Sequence, residues 1–192
     1  SAVDYAREEI RELAFKFAEE VCQNYAINGI NLDFFRHPVF FKSAANGIPA
    51  CQSELQMMTD LVRRIREMIE LEGEKRGEPI LLAVRVPDSV EYCKAIGIDI
   101  EEWLSEGLID IMIVSSYIQL NNWEYSVTLG HKYGVKVYAS LDETRIQDQE
   151  ARALRDSLEG YRGRAMNVWS SGADGIFLFN YNGCHNSGFA SI

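Results

Sequence analysis

Five short apolar runs, each separated from the next by a stretch with helical periodicity, constrain the fold of this chain more than any other sequence feature. The runs span residues 27–35, 80–86, 108–115, 135–141 and 175–181. They are rich in branched and aromatic residues and nearly continuous in apolar character, which is typical of strands buried on both faces in a parallel sheet. The pattern therefore predicts an α/β domain of five βα-type units.

Helical periodicity fills the intervals between these predicted strands. Apolar residues recur at three and four positions over 4–24, 53–73, 90–95, 100–106, 123–133 and 149–170. Gly172 has the position of a C-cap glycine after the last of these helices. Each pair of successive strands is thus joined through at least one helix, as parallel pairing requires.

Polar residues collect where the predicted strands end, and this decides between two parallel architectures. They are Asp33, Arg36, Arg85, Ser115, Ser116, Asp142, Glu143 and Asn180. A TIM (β/α)₈ barrel gathers its site from several strand ends, whereas an open doubly wound sheet concentrates its site at one crevice. The sequence therefore favours five βα-type units of a TIM barrel, with an open doubly wound sheet as the alternative.

The length and composition of the chain are typical of one ordinary globular domain. The chain has 192 residues, of which 47% are hydrophobic and 25% are charged. It contains no Ser/Pro-rich linker and no low-complexity segment. A formal net charge of −10 argues against nucleic-acid binding, which requires a surplus of Lys and Arg on one face.

The spacing of the cysteines and the length of the apolar runs help to predict the cellular location of the protein. The four cysteines are scattered without a C-x-x-C pair, whereas a disulfide framework would need a denser pattern. No apolar run approaches the length of a membrane span, so no membrane span is predicted. The sequence begins directly in a charged predicted helix, without a signal peptide. Because processing or cloning removes such peptides, the location stays open, and a periplasmic or extracellular one is compatible.

Three segments resemble bacterial glycoside hydrolases of the barrel class. The segment 29–38, GINLDFFRHP, resembles their fourth-strand motif, in which an Asp ends the strand and an Arg and a Pro follow. The segment 137–143, VYASLDE, resembles a seventh strand with its terminal carboxylates. The segment 164–181, RAMNVWSSGADGIFLFNY, is similar to the last helix and eighth strand of glycoside-hydrolase-like families that are loosely related to family-10-type barrels.

The resemblance implies a domain organisation and a function. Residues 1–192 would be a single domain, the C-terminal portion of a TIM-barrel glycosidase-like domain with strands four to eight. Half a barrel exposes strand edges, which predicts homo-oligomers formed through these edges. The implied function is a glycoside hydrolase acting on a poly- or oligosaccharide. The alternative is a non-catalytic carbohydrate-binding or structural barrel domain.

Glycoside hydrolysis requires two carboxyl groups that flank the scissile bond. Asp33 is one candidate, because strand alternation turns it toward the same side as Asn31 and Phe35. An acidic residue at the end of an apolar strand is costly unless paired, so the alternative role of Asp33 is an ion pair with Arg36 or Arg85. Glu143, or Asp142 beside it, is the second catalytic candidate. Its alternative role is to cap the following helix.

Further strand-end residues are candidates for substrate binding. Arg36 and Arg85 could hold a sugar hydroxyl or act on the charge of Asp33. Aromatic rings at such positions could stack against sugar rings, although packing is their alternative role. The candidate substrate-binding residues are Arg36, Arg85, Tyr117, Trp123, Asn180 and Tyr181.

No motif in the sequence indicates a cofactor or a metal. The three histidines His37, His131 and His185 are isolated, with no H-x-H or H-E-x-x-H spacing. A G-x-G-x-x-G dinucleotide fingerprint and a G-x-S-x-G nucleophile elbow are both missing. We therefore expect no cofactor, and the resemblance to glycoside hydrolases implies a carbohydrate substrate.

Overall fold

The computed structural model describes residues 3–115, 118–142 and 146–179, in which five strands alternate with helices. The strands are β1 (Gly29–Asp33), β2 (Leu81–Val86), β3 (Ile111–Val114), β4 (Lys136–Leu141) and β5 (Gly175–Leu178). The helices are α1 (Glu8–Asn24), α2 (Lys42–Ala45), α3 (Gln52–Arg76), α4 (Val90–Ile96), α5 (Ile100–Ser105), α6 (Trp123–Lys132), α7 (Gln149–Arg155) and α8 (Leu158–Ser170). Each strand lies within its predicted run. Within the described ranges no helix combines the length and the apolar character that a bilayer span requires.

The strands form a single parallel sheet in the order β1-β2-β3-β4-β5. Because parallel crossovers are right-handed, an order that always advances in one direction puts the connecting helices on one face. A doubly wound sheet would instead reverse its strand order and carry helices on both faces. The sheet curls into half a barrel, which confirms the predicted barrel-type fold and excludes the open doubly wound alternative.

The hydrophobic core lies between the helices and the convex face of the sheet. Trp103 of α5 is completely buried there, and its indole N–H donates to the hydroxyl of Thr59 on α3 at 3.0 Å. This bond pairs the indole N–H in the core, and the Thr59 hydroxyl itself donates to the carboxylate of Glu102 at 3.5 Å. The strand residues in the core alternate along the sequence: Leu82, Val84, Val86, Met112, Val114, Val137, Ala139 and Leu141.

The single helix predicted over 149–170 is wrong, because the chain breaks there into α7 and α8. Ser157 is the N-cap of α8, and its hydroxyl oxygen accepts a hydrogen bond from the N–H of Gly160 at 3.0 Å. The same hydroxyl donates to the carbonyl of Leu154 at 2.6 Å, in the last turn of α7. Local side-chain bonds of this kind compete with continued helix, and apolar periodicity does not reveal them.

The end of α8 agrees with the prediction. Gly172 has a φ of +83°, in the left-handed region that favours glycine, and its N–H donates to the carbonyl of Trp169 at 3.1 Å. The chain then turns directly into β5.

Two aspartates tie neighbouring strands together at the amino-terminal edge of the sheet. Asp110, just before β3, accepts a hydrogen bond from the N–H of Leu82 at 2.7 Å. Asp174, just before β5, accepts one from the N–H of Val137 at 2.9 Å and one from the Lys136 ammonium at 2.8 Å. Partial burial works to raise the pKa of Asp174, but its hydrogen bonds outweigh burial and hold that pKa below its usual value.

Candidate functional site

The concave face of the sheet carries polar side chains toward the carboxyl ends of the strands. The strand register places Asp33 of β1 opposite Arg85 of β2, and Ser140 of β4 opposite Phe177 of β5. Ser115 follows β3 directly. Parallel strands end at the same edge of a sheet, so these groups lie along one rim, where barrel proteins build their sites.

Asp33 ends β1 with both carboxylate oxygens engaged. Its Oδ1 atom accepts hydrogen bonds from the N–H groups of Phe35 at 3.0 Å and Arg36 at 3.1 Å. Its Oδ2 atom accepts one from Nη1 of Arg85 at 3.0 Å; the Arg85 side chain is 0% exposed and that of Asp33 is 32% exposed. The carboxylate therefore holds the turn after β1. The ion pair that the sequence offers as the alternative role of Asp33 is present, and its partner is Arg85.

The guanidinium of Arg85 lies among aromatic rings. Its central carbon is 3.8 Å from the ring centroid of Phe179 and 5.8 Å from that of Phe35. The Arg36 guanidinium lies 5.6 Å from the same Phe179 centroid. Cation–π contacts of this kind compensate in part for the lost hydration of a buried cation. The two candidate substrate-binding arginines thus both contact Phe179.

Ser115 has an unusual backbone conformation at the end of β3. Its φ is +63°, and no other non-glycine residue in the described ranges has a positive φ. Its hydroxyl donates to the carbonyl of Ile118 at 2.7 Å and so stabilises the turn. Backbone strain of this kind persists only where the surroundings impose it, and it clusters at functional sites.

A mainly polar pocket of about 330 Å³ opens at the carboxyl ends of β3 and β4. Asp142, which follows β4, is only 6% exposed. Ser140 is 2% exposed, and its hydroxyl has no hydrogen-bond partner in the part of the chain that the structure describes. The strand ends and α6, α7 and α8 together line the pocket through Ser115, Trp123, Ser140, Asp142, Arg155 and Arg164.

Asp88 positions one wall of this pocket. It follows β2, is 3% exposed, and accepts hydrogen bonds from the N–H groups of Leu120 and Asn121, both at 2.9 Å. The Asn121 side-chain amide donates back to the Asp88 carbonyl at 2.7 Å. These bonds fix the loop that leads into α6 and Trp123. Sequence reasoning missed this role, although the position of Asp88 two residues after a predicted strand was an available signal.

The structure brings the predicted site residues to two adjoining places on the rim. Asp142 and Trp123 line the pocket, whereas Asp33, Arg85 and Arg36 form the ion-pair and aromatic cluster around Phe179. The remaining candidates lie outside the described residues: Tyr117, Glu143, Asn180 and Tyr181.

Arg155 and Arg164 line the pocket but were not predicted as site residues. They lie on α7 and α8, whereas sequence reasoning considered strand ends. Ser157 could have been recognised in the sequence as a helix N-cap, which would have indicated a break between two helices. The break places Arg155, at the end of α7, in the lining of the pocket.

The two catalytic candidates that the structure describes lie on different strands. Asp33 ends β1 and Asp142 follows β4, three strand spacings away, which is roughly 14 Å measured along the sheet. Strand alternation turns both toward the concave side, because Leu32 and Leu141 beside them pack in the core on the opposite face. Carboxyl pairs in glycosidases are about 5–9.5 Å apart.

Comparisons with known proteins find similarity only in structure. No protein-family model matches the sequence, and no curated protein matches it. A glycoside hydrolase family 18 N-acetylglucosaminidase from Paenibacillus barengoltzii is similar with a TM-score of 0.49 and 19% identity, over 71% of this chain and 45% of that one. Chitinase ChiA74 from Bacillus thuringiensis is similar with a TM-score of 0.46 and 15% identity, over 71% of this chain and 25% of its own. The chain thus covers less than half of either protein, and both likenesses are too low to assign it an activity.

Proposed function

We propose that the protein acts as a glycoside hydrolase on a poly- or oligosaccharide, and that the pocket at the ends of β3 and β4 is its sugar-binding site. One observation carries the proposal. A polar pocket at the carboxyl-terminal rim of a half-barrel combines a carboxylate, Asp142, with an indole ring, Trp123. Carboxylates supply the acid and base of glycoside hydrolysis, and aromatic faces stack against sugar rings.

We assign proton transfer to the carboxyl groups that follow β4, Asp142 and its neighbour Glu143. We assign Asp33 a different role, because the hydrogen bonds from Arg85 and from two backbone N–H groups use both of its oxygens to hold the turn after β1. In the proposed mechanism Asp33 contributes a fixed negative charge on the rim. A fixed charge of this kind favours a transition state in which the sugar ring becomes positive.

The test is turnover of a panel of oligosaccharides by the full-length protein. We expect Asp142→Asn to lower kcat at least a hundredfold, because the amide keeps the size of the side chain but cannot transfer a proton as a carboxyl group does. Turnover is counted per folded molecule, and the melting temperature is measured on the same preparations. Glu159→Gln is the matched control, because Glu159 is an exposed carboxylate in the first turn of α8 and is not a lining residue. Unchanged turnover in Asp142→Asn would reject its catalytic role.

A non-catalytic glycan-binding domain is the second candidate, and the ion pair of Asp33 favours it. A carboxylate held by Arg85 and by the turn after β1 has a complete structural role without chemistry. The same oligosaccharide panel separates the two candidates. Saturable binding without turnover by the full-length protein supports a binding domain, whereas turnover supports the hydrolase.

A further inference from the structure

The Ser140 hydroxyl on β4 is a buried polar group that the described part of the chain leaves without a hydrogen-bond partner. We infer that Ser140 is a substrate-binding residue of the pocket at the ends of β3 and β4, and that its side chain forms a hydrogen bond with a hydroxyl group of the sugar. The inference rests on the proposed function and deepens it, because it names a residue that recognises the substrate. It adds no step to the hydrolysis.

The strand directs the Ser140 side chain into the pocket. Its neighbours Ala139 and Leu141 belong to the hydrophobic core on the convex side of the sheet. Because successive side chains of a strand point to opposite faces, Ser140 points to the concave side, where it lines the pocket. Asp142 points to the same side two residues later, roughly 7 Å further toward the rim. Ser140 therefore lies deeper in the half-barrel than the carboxylate to which we assign proton transfer.

The burial of Ser140 is what makes its unpaired hydroxyl a sign of a ligand. The residue is only 2% exposed. Folded proteins pair most of their buried polar side chains, because a hydroxyl that leaves water without gaining a new partner costs free energy. Thr59 and Asp88 follow this rule: Thr59 accepts a hydrogen bond from an indole N–H at 3.0 Å, and Asp88 accepts bonds from two backbone N–H groups, both at 2.9 Å. A sugar hydroxyl would complete the missing bond of Ser140.

Ser115, the matching residue on the neighbouring strand, uses its hydroxyl differently. The register pairs Val114 with Ala139, so that Ser115 lies at the level of Ser140. Ser115 is also buried and also lines the pocket, but its hydroxyl donates to the carbonyl of Ile118 at 2.7 Å and stabilises the turn after β3. Of these two adjacent serines, Ser140 is therefore the one whose hydroxyl is left for a ligand.

The depth of Ser140 also predicts which kinetic constant depends on it. A hydrogen bond to a part of the sugar away from the reacting bond is present in the ground state and in the transition state alike. Its loss therefore raises KM and leaves kcat nearly unchanged. Loss of a group that transfers a proton lowers kcat instead, as we expect for Asp142→Asn. Two residues on one strand should thus have separate kinetic effects.

The experiment measures binding, turnover and stability of Ser140→Ala in the full-length protein. The probes are cellotetraose, chitotetraose, mannotetraose, xylotetraose and maltotetraose, each titrated by calorimetry. For the probe that binds most tightly, we expect the dissociation constant and KM to rise roughly threefold to tenfold, which is the usual contribution of a neutral hydrogen bond. The melting temperature of the free protein should not fall, because the hydroxyl has no bond to lose in the described ranges.

Ser89→Ala is the matched control, because Ser89 is not a lining residue and its hydroxyl caps α4 by accepting a hydrogen bond from the N–H of Tyr92 at 3.1 Å. This control should lower the melting temperature and leave binding unchanged, the opposite of the pattern for Ser140→Ala.

Monodeoxy analogues of the tightest-binding probe identify the bond from the sugar side. One analogue should bind the unmodified protein about as weakly as the parent sugar binds Ser140→Ala. The same analogue should lose no further affinity in the variant, because both partners of the hydrogen bond are then absent. An equal loss of affinity in the variant for the parent sugar and for every analogue would overturn the inference.

The outcomes separate this inference from the proposed function. Unchanged sugar binding in Ser140→Ala would overturn the role of Ser140 and leave the sugar site standing. A fall in its melting temperature would also overturn this role, because the hydroxyl would then have a partner within the protein. Weakened binding in the variant, with no turnover by the unmodified protein, would support Ser140 and reject the hydrolase. Binding of none of the probes would overturn both the inference and the proposed sugar site.

Discussion

Arg85 is a fully buried cation whose neighbours explain how the fold tolerates it. It pairs with Asp33 at 3.0 Å and stacks against Phe179 at 3.8 Å. A buried pair of this kind contributes little compared with apolar residues of the same size, but removing one partner leaves a buried charge poorly compensated. Loss of Asp33 would therefore leave a buried cation without its carboxylate, whereas loss of Arg85 would leave a carboxylate that is partly exposed to solvent.

We expect Asp33→Asn to lower the free energy of unfolding by about 1–3 kcal/mol, because the amide leaves the buried Arg85 with a weaker partner. The value is below that for a fully buried pair, since 32% of the Asp33 side chain is exposed. Urea unfolding measures it. Asp60→Asn is the control, because Asp60 pairs with Arg63 at the surface and its loss should cost less than about 1 kcal/mol.

Turnover on the same preparations tests the catalytic candidate role of Asp33. A loss of stability with unchanged turnover per folded molecule would make Asp33 purely structural. If Asp33→Asn loses turnover but is as stable as the Asp60→Asn control, the structural role is contradicted and the catalytic role of Asp33 is supported.

At the scale of elements, the aspartates before β3 and β5 act as clamps between neighbouring strands. Asp174 accepts hydrogen bonds from the N–H of Val137 and from Lys136, and its Oδ2 atom lies 2.7 Å from Nε2 of His131 on α6. One carboxylate thus joins β4, β5 and a helix. Because β5 is an edge strand in the described sheet, this clamp holds it to the one strand with which it pairs there.

The depressed pKa of Asp174 predicts a particular acid sensitivity. The folded-state pKa lies below the unfolded value of about 3.9, so the clamp contributes its full stability above roughly pH 4 and loses it as the pH falls toward the folded pKa. Melting temperatures from about pH 5 to about pH 2.5 measure this. We expect Asp174→Asn to be less stable at pH 5 and to lose less on acidification than the unmodified protein.

The exposed residue Asp60 again provides the control for this measurement. Asp60→Asn should keep the acid sensitivity of the unmodified protein, because Asp60 lies in α3, away from the clamp. Parallel acid curves for Asp174→Asn and the unmodified protein would mean that the clamp does not act through this carboxylate.

At the scale of the whole molecule, the half-barrel has two open edges. β1 and β5 each pair with a single neighbour in the described sheet. An unpaired edge presents backbone N–H and C=O groups to which another strand can add. The described edges could therefore pair with a further strand or with a second copy of the chain.

We expect the 192-residue chain, expressed by itself, to self-associate through these edges. Sedimentation velocity over a wide concentration range measures the association. Asn31→Lys, an exposed position on β1, should weaken it, because a charged side chain on an edge opposes strand addition. A stable monomer at every concentration would contradict the prediction.

The number, order and approximate positions of the strands could be read from the sequence. Apolar runs of this length, separated by helical periodicity, have few arrangements other than a parallel α/β fold, and each of the five strands lies inside its predicted run. Polar strand ends such as Asp33 and Asp142 were recognisable for the same reason, since they interrupt an otherwise apolar pattern.

Tertiary structure alone decided which of these groups meet. The sequence left Arg36 and Arg85 as equal partners for Asp33, and only the β1–β2 register puts Arg85, 52 positions away, at its carboxylate. The pocket arginines depend in the same way on a helix break that local caps produce. Periodicity reports which face of an element is apolar, whereas contacts between distant residues depend on register and crossover geometry, which no local pattern contains.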